Sequence, residues 1–245
     1  MQLSQFKALS FDCYGTLIDW ETGLANALQP LRAAAGASHD ELLEAYGNAE
    51  HEVEEAYPGM RYSELLELVH ARLVERFGLP ADAEAARCFG QSVGDWPAFP
   101  DTREALQYLK RHFKLIILSN VDRASFARSN ERLGVEFDRI FTAEEIGSYK
   151  PDLRNFEFLL SRIGDDGLGK GDLLHVAQSL FHDHVPANRL GIASAWIDRR
   201  HNKSGGGATR IPDPKPRFDF RFTSMEELAA AHKAELAEAP LDASN

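Results

Sequence analysis

Cysteine is scarce in this 245-residue chain, which carries only Cys13 and Cys88. Two cysteines exclude a disulfide scaffold and a cysteine-built zinc site, and they fit a reducing compartment, so the cytoplasm is the expected location. Long apolar runs are missing too. No stretch reaches the roughly 20 residues that a membrane helix needs, and the N-terminus has no apolar signal segment, so no membrane partner is expected. Positive charge is in deficit: Lys and Arg number 27 against 38 Asp and Glu, for a formal net charge of −11. A nucleic-acid surface would need clustered basic residues, so nucleic acid is not expected as a partner either. No spacing of His, Cys and Asp matches a zinc site, and no repeat is evident.

What is present is an ordinary globular composition, 44% hydrophobic and 27% charged, long enough to bury a core without staples. The apolar stretch 7–11 reads as a buried strand that runs into a turn at Gly15. From residue 21 to 91 the texture is helical, with patterns over 22–35, 39–57, 61–77 and 81–92. Breaks fall at Gly36, at Pro58-Gly59 and at Gly78-Leu79-Pro80, and Pro30 is expected to kink the first helix. Beyond a linker at Trp96–Pro100 the chain alternates. A helix opened by an Asp101/Glu104 capping box runs to about His112. Strands follow at 115–118, 139–142, 173–176, 195–197 and 218–222, with helices over 122–134 and 152–163, another ending near Gly191, and a last one from Ser224. The segment 201–216, rich in Gly and Pro, reads as a surface loop.

Repeated strand–helix units predict an α/β fold, a doubly wound parallel sheet with an inserted helical cap domain. The expected division is a core of residues 1–19 and 97–245 and a cap of residues 20–96. Ligands of such sheets bind at the carboxyl ends of the strands. That rule gathers Asp12, Ser119, Asn120, Lys150 and the segment Gln178–Asp183 around one crevice. A carboxylate such as Asp12 can attack an electrophilic carbon or phosphorus and form an ester, and Lys150 is the candidate cation to keep it ionised. Asp12 taken alone could equally cap the turn that follows it.

Four segments in order shift that balance toward a nucleophile: Asp12-Cys13-Tyr14-Gly15-Thr16-Leu17-Ile18-Asp19, Leu118-Ser119-Asn120, Ser148-Tyr149-Lys150-Pro151-Asp152, and His175 to Asp183 followed by Ala187 and Gly191. On these motifs the chain resembles the haloacid dehalogenase superfamily. The resemblance implies a Rossmann-like core with a cap inserted after the first motif, and Asp12 as covalent nucleophile. Two positions depart from the phosphatases of that superfamily. Tyr14 stands where they have an acid that protonates the leaving alcohol, and a phenol with a pKa of about 10 replaces it poorly. Gln178 stands where they have an acidic magnesium ligand. A magnesium phosphatase is therefore disfavoured, and no metal or other cofactor is expected.

The 2-haloacid dehalogenase branch, which needs no metal, resembles this pattern better. By that resemblance Lys150 orients Asp12, Asp183 positions the hydrolytic water, Thr16 braces the nucleophile, and Ser119 and Asn120 hold the carboxylate of a small halogenated acid. The turn amides at Cys13 and Tyr14 are expected to assist, with Gln178, Ser179 and Trp20 beside the substrate. The branch has a halide-receiving cap arginine whose position here falls at Tyr46 or Gly47. Arg61 is the nearest cap arginine and so the candidate, its alternative being a solvated surface cation. His182 reads as a base or a packing residue, and Trp20 and Trp96 as hinge aromatics. The acidic run around His51, with Glu50, Glu52, Glu54 and Glu55, reads as a solvated helix face. The expected activity is hydrolysis of small 2-haloalkanoic acids of the haloacetate type through an aspartyl ester. The alternatives are a phosphatase on a small phosphoester and a non-catalytic small-molecule binder. A homodimer is expected from the resemblance alone.

Overall fold

The computed structural model describes residues 1–202 and 212–238. Strand β1 (Ala8–Phe11) is buried at every position, as a central strand covered on both faces must be. Five helices follow: α1 (Trp20–Ala27), α2 (Gln29–Ala35), α3 (His39–Ala56), α4 (Tyr62–Arg76) and α5 (Ala83–Gln91). The chain then returns through α6 (Thr102–Leu109), β2 (Lys114–Ser119), α7 (Arg123–Leu133), β3 (Arg139–Thr142), the short α8 (Ala143–Ile146) and α9 (Leu153–Asp165). It finishes with β4 (Leu173–Ala177), α10 (Val185–Leu190), β5 (Ala193–Ile197), β6 (Phe220–Phe222) and α11 (Met225–Glu238). Among the described residues, no helix is long and apolar enough to cross a membrane.

The six strands are all parallel and lie in the order β3-β2-β1-β4-β5-β6. The chain steps outward from β1 to β3, then crosses back to lay β4 on the other side of β1. That reversal opens a crevice above the carboxyl ends of β1 and β4, where ligands of doubly wound sheets bind. The period-2 alternation of β2 divides the core. Leu115 and Ile117 join an apolar cluster that runs through the hinge (Leu17, Ile18, Trp96) into the cap (Leu24, Tyr46, Leu65). Ile116 and Leu118 face the second cluster, with Phe156, Leu159 and Ile163 of α9. The α/β class with an inserted helical cap is thus as expected.

The local differences have physical reasons. The first cap helix is two helices: Leu28 ends α1, and Pro30 lies in the first turn of α2, where its missing N–H costs nothing. The expected capping box at Asp101 does not form. The Asp101 carboxylate instead takes Nη1 of Arg199 at 2.8 and 2.9 Å and the Met225 amide at 2.7 Å. A capping box does form at Ser38 with Glu41, starting α3. Most of the loop expected over 201–216 lies outside the described residues. Two crossing chain segments make the hinge, with Asp19 N donating to Pro97 O at 2.7 Å and Phe99 N to Leu17 O at 3.1 Å. Gly23 lies directly beneath the Trp96 ring, where a Cβ would approach to 2.2 Å, so the two connections of the cap pack on each other.

Candidate active site

Asp12 is the first residue beyond β1, and its amide continues the ladder by donating to Val176 O at 3.1 Å. The turn after it needs Gly15, whose φ is +96°; a Cβ there would also meet Trp20 Nε1 at 2.9 Å and Gln178 Oε1 at 3.2 Å. Both Asp12 oxygens are held. Lys150 Nζ donates to Oδ1 at 2.9 Å and Thr16 Oγ1 donates to Oδ2 at 2.7 Å. Thr16 Oγ1 is itself fixed by the Gln178 amide at 2.9 Å. The carboxylate therefore has little rotational freedom, which is what a nucleophile aimed at one atom requires.

Lys150 is 1% exposed and donates to three acceptors: Asp12, Asp183 Oδ1 at 2.7 Å and Leu118 O at 3.0 Å. Asn120 clamps the backbone of the lysine, its Oδ1 accepting from Lys150 N at 2.7 Å and its Nδ2 donating to Lys150 O at 3.0 Å. Asp183 Oδ1 also meets His175 Nε2 at 2.9 Å, and His175 Nδ1 meets Ser10 Oγ at 2.8 Å. Two acids thus share one ammonium in a dry setting. Burial pushes the Asp12 carboxyl up, and Lys150 opposes this only in part. Burial acts the same way on Asp183, but Lys150 and His175 outweigh it and hold that carboxyl well below the usual range. For Lys150 burial works against the charge, yet Asp12 and Asp183 keep the ammonium above the ordinary lysine value.

The cavity in front of Asp12 has a volume of about 80 Å³, far below the ~300–1,000 Å³ of pockets that bury drug-sized ligands. Only a small molecule fits. Asp12, Tyr14, Trp20, Ser119, Asn120, Lys150, Gln178, Ser179 and Asp183 all line it, so nearly every residue drawn from the four motifs converges there. The Cys13 side chain is instead packed in the apolar core. Ser119 Oγ and Asp183 Oδ2 are buried without a protein partner among the described residues, leaving one donor and one acceptor for a ligand.

The structure places Arg61 and part of the acidic run otherwise than expected, and it gives Asn120 and Ser179, which do line the cavity, hydrogen-bond partners of their own. Arg61 does not reach the cavity: its side chain is 62% exposed and paired with Glu144 at 3.0 Å, because it precedes α4 on the outer surface. Asn120 lines the cavity while its amide also holds the Lys150 backbone. Ser179 uses its hydroxyl to cap the turn at Leu180–His184, accepting from His182 N at 3.0 Å. The acidic run on α3 is not uniformly solvated. Glu50 and Glu54 line the cavity from the cap side together with Tyr62, and the Tyr46 and Tyr62 hydroxyls both meet Glu50 Oε1, at 2.6 and 2.5 Å.

His175 heads the fourth motif without an expected role of its own and Ser10 has none, although a signal for both existed. They are register partners inside two otherwise apolar buried strands, where a polar pair demands a reason. Tyr14 cannot act readily as an acid: its hydroxyl pairs with Ser129 Oγ at 2.8 Å, and burial pushes the phenol well up. Magnesium is a poor fit. Lys150 Nζ occupies the position between Asp12 and Asp183, and Gln178 offers no charge. Among the described residues no group of three or more His, Cys, Asp and Glu could hold an ion.

A protein-family model described as a haloacid dehalogenase-like hydrolase matches residues 6–176. An (S)-2-haloacid dehalogenase of Pseudomonas putida is 24% identical over 230 residues, covering 87% of this chain and 92% of the relative. The solved L-2-haloacid dehalogenase of Xanthobacter autotrophicus superposes with a TM-score of 0.77 at 19% identity, over 93% of this chain and 98% of that one. A magnesium-bound putative HAD-hydrolase, YfnB of Bacillus subtilis, superposes with a TM-score of 0.73 at 19% identity, over 93% and 99% of the two chains. At such identities the superpositions establish the shared fold, which does not by itself choose a chemistry.

Proposed function

This chain belongs to the haloacid dehalogenase-like hydrolase family, and from that premise we propose that it hydrolyses small 2-haloalkanoic acids through an ester on Asp12. In this reading residues 20–96 form the cap, and residues 1–19 with 97–245 the core. The observation that carries it is the Asp12 setting: a carboxylate fixed by Lys150 and Thr16, with an engaged phenol at Tyr14 and an amide at Gln178. A phosphoester would ask those two positions for a proton and a metal ligand. An alkyl halide asks for neither, because halide leaves as a stable anion. The names of the curated relatives and the small cavity support the same choice.

An Asp12 oxygen attacks the carbon bearing the halogen in line; the C–O bond forms as the carbon–halogen bond breaks, and halide departs with the bonding pair. Inversion at that carbon follows. Asp183 Oδ2, free of protein partners, accepts from a water and orients it toward Cγ of the Asp12 ester. Attack there cleaves the acyl–oxygen bond, releases the 2-hydroxy acid and a proton, and restores the carboxylate. Ser119 Oγ and the amides of Cys13 and Tyr14 are the donors for the substrate carboxylate.

The test is halide release from chloroacetate and 2-chloropropionate in excess EDTA, with ¹⁸O-water labelling. We expect turnover that EDTA leaves unchanged, ¹⁸O in the Asp12 carboxylate after a single turnover, and no release by Asp12→Asn. Release of phosphate from small phosphoesters, dependent on added Mg²⁺ and with no halide released, would overturn the reading.

A further inference from the structure

The cap side of the cavity is acidic. Tyr46, Glu50 and Glu54 follow one another at intervals of four on α3, so they lie on one face of the helix, and both glutamates line the cavity that Asp12 lines from the core. The two acids have different company. Glu50 accepts hydrogen bonds from Tyr46 and Tyr62, which oppose in part the upward push of burial on its carboxyl. Glu54 makes no ion pair among the described residues; Glu50 raises its carboxyl, while Lys150 and a hydrogen bond with the Asn120 side chain lower it in part. Burial, and then the charge of Glu50, push the Glu54 carboxyl well above the usual range. Two carboxyls on one small, dry cavity cannot both ionise cheaply, which favours a proton on the pair, and Glu54 lacks the two phenol donors that Glu50 has.

Among the described residues Lys150 is the sole permanently cationic side chain on the cavity wall, and Asp12 and Asp183 already share it. Arg61 is elsewhere. In-line attack by Asp12 from the core drives the leaving group toward the cap, where no Lys or Arg lines the cavity among the described residues. The buried Ser119 Oγ, 2% exposed and without a partner, lines the same cavity, so its polar groups are arranged for a ligand. We propose that Glu54 receives the departing halide, its carboxyl O–H donating a hydrogen bond to the halogen as the carbon–halogen bond breaks. This rests on the carbon–halogen reading above. The C–O bond to Asp12 forms, the halogen leaves with the bonding pair, and the proton stays on Glu54.

A donor at the leaving group matters most for the most basic halide. The experiment therefore measures halide release from fluoroacetate, chloroacetate and bromoacetate by wild type, Glu54→Gln and Glu54→Leu. In parallel, ¹⁹F NMR follows fluoride binding to the resting enzymes. Removing a donor aimed at developing charge typically costs about 10²–10³ in rate. We expect that loss for fluoroacetate in Glu54→Leu, a loss under about tenfold for bromoacetate, and Glu54→Gln between wild type and Leu because its amide still donates. Fluoride should bind wild type and not Glu54→Leu. Equal losses for all three halides would make Glu54 a packing residue and overturn the proposal. Fluoride binding unchanged in Glu54→Leu would overturn it whatever the turnover. Release from none of the three by wild type would instead overturn the carbon–halogen reading itself.

Discussion

Replacing Lys150 by Met keeps the length of the side chain and removes the cation on which two carboxylates depend. Lys150 Nζ donates to Asp12 at 2.9 Å, to Asp183 at 2.7 Å and to Leu118 O at 3.0 Å. Breaking a buried ion pair from one side costs about 3–5 kcal/mol, because the remaining charge is left uncompensated. The cost depends on pH, and its sign follows from the two carboxyls. In wild type the folded-state pKa of Asp183 is depressed. Its stabilisation is present above the unfolded value near 3.9 and is lost as pH falls through the folded value. Asp12 is already raised, so ionising it subtracts from stability as pH rises from about 3.9 through its folded value. Without Lys150 both groups are raised, and the penalty grows from pH 4 toward neutrality. The expected gap between wild type and Lys150→Met in urea denaturation is about 3–5 kcal/mol at pH 7. Below pH 4 it should shrink toward the single lost bond to Leu118 O, about 1 kcal/mol. Activity adds a second reading. A charged hydrogen bond of about 1.5–3 kcal/mol corresponds to ~1–2 pH units on the Asp12 titration. The acidic limb of kcat/KM should move up by that amount, with activity recovering as pH rises. A stability gap that stays flat between pH 4 and 7, or an acidic limb that does not move in a folded variant, would refute Lys150 as the counter-ion.

Two further substitutions probe other parts of the same machinery. Tyr14→Phe removes a hydroxyl whose bond is to Ser129; halide release should stay within about threefold, whereas loss of a true acid costs about 10²–10⁴, and a loss on that scale would return Tyr14 to the chemistry. Arg199→Leu breaks a half-buried pair with Asp101 and the donors that hold Thr16 O at 2.9 and 3.2 Å. A cost of about 3–5 kcal/mol in urea denaturation is expected, and a cost below about 1 would show that Arg199 does not anchor the Asp12 turn.

Tertiary structure overruled local pattern in specific places. Asp101 with Glu104 satisfies the capping-box rule, but Arg199 arrives from the far end of the chain and takes the carboxylate. Charge outcompeted a local backbone bond. The run around His51 contains four glutamates, and nothing in its spacing states which of them face inward. Glu52 pairs with the exposed Arg72 and Glu55 with His51, whereas Glu50 and Glu54 turn toward the cavity. Only the docking of α3 over the sheet separates them. His175 was legible in principle, as a polar residue inside an apolar strand, but its partner Ser10 is 165 residues away and no local pattern joins the two.

Local pattern along the chain is enough for the class of fold and the place of the chemistry. Strand–helix alternation forces a parallel sheet with both faces covered, and a parallel sheet puts Asp12, Ser119 and Gln178 at the ends of strands on one side, with Lys150 in the connection that follows β3. Those are consequences of backbone hydrogen bonding and of side-chain periodicity, both local. The environment of each charge, by contrast, comes from long-range packing. Whether Arg61 meets a ligand or Glu144, and whether Glu54 meets water or a closed cavity, depends on how the cap lies over the core. Desolvation and charge proximity are properties of that arrangement. They turned an expected cationic cap into an acidic one.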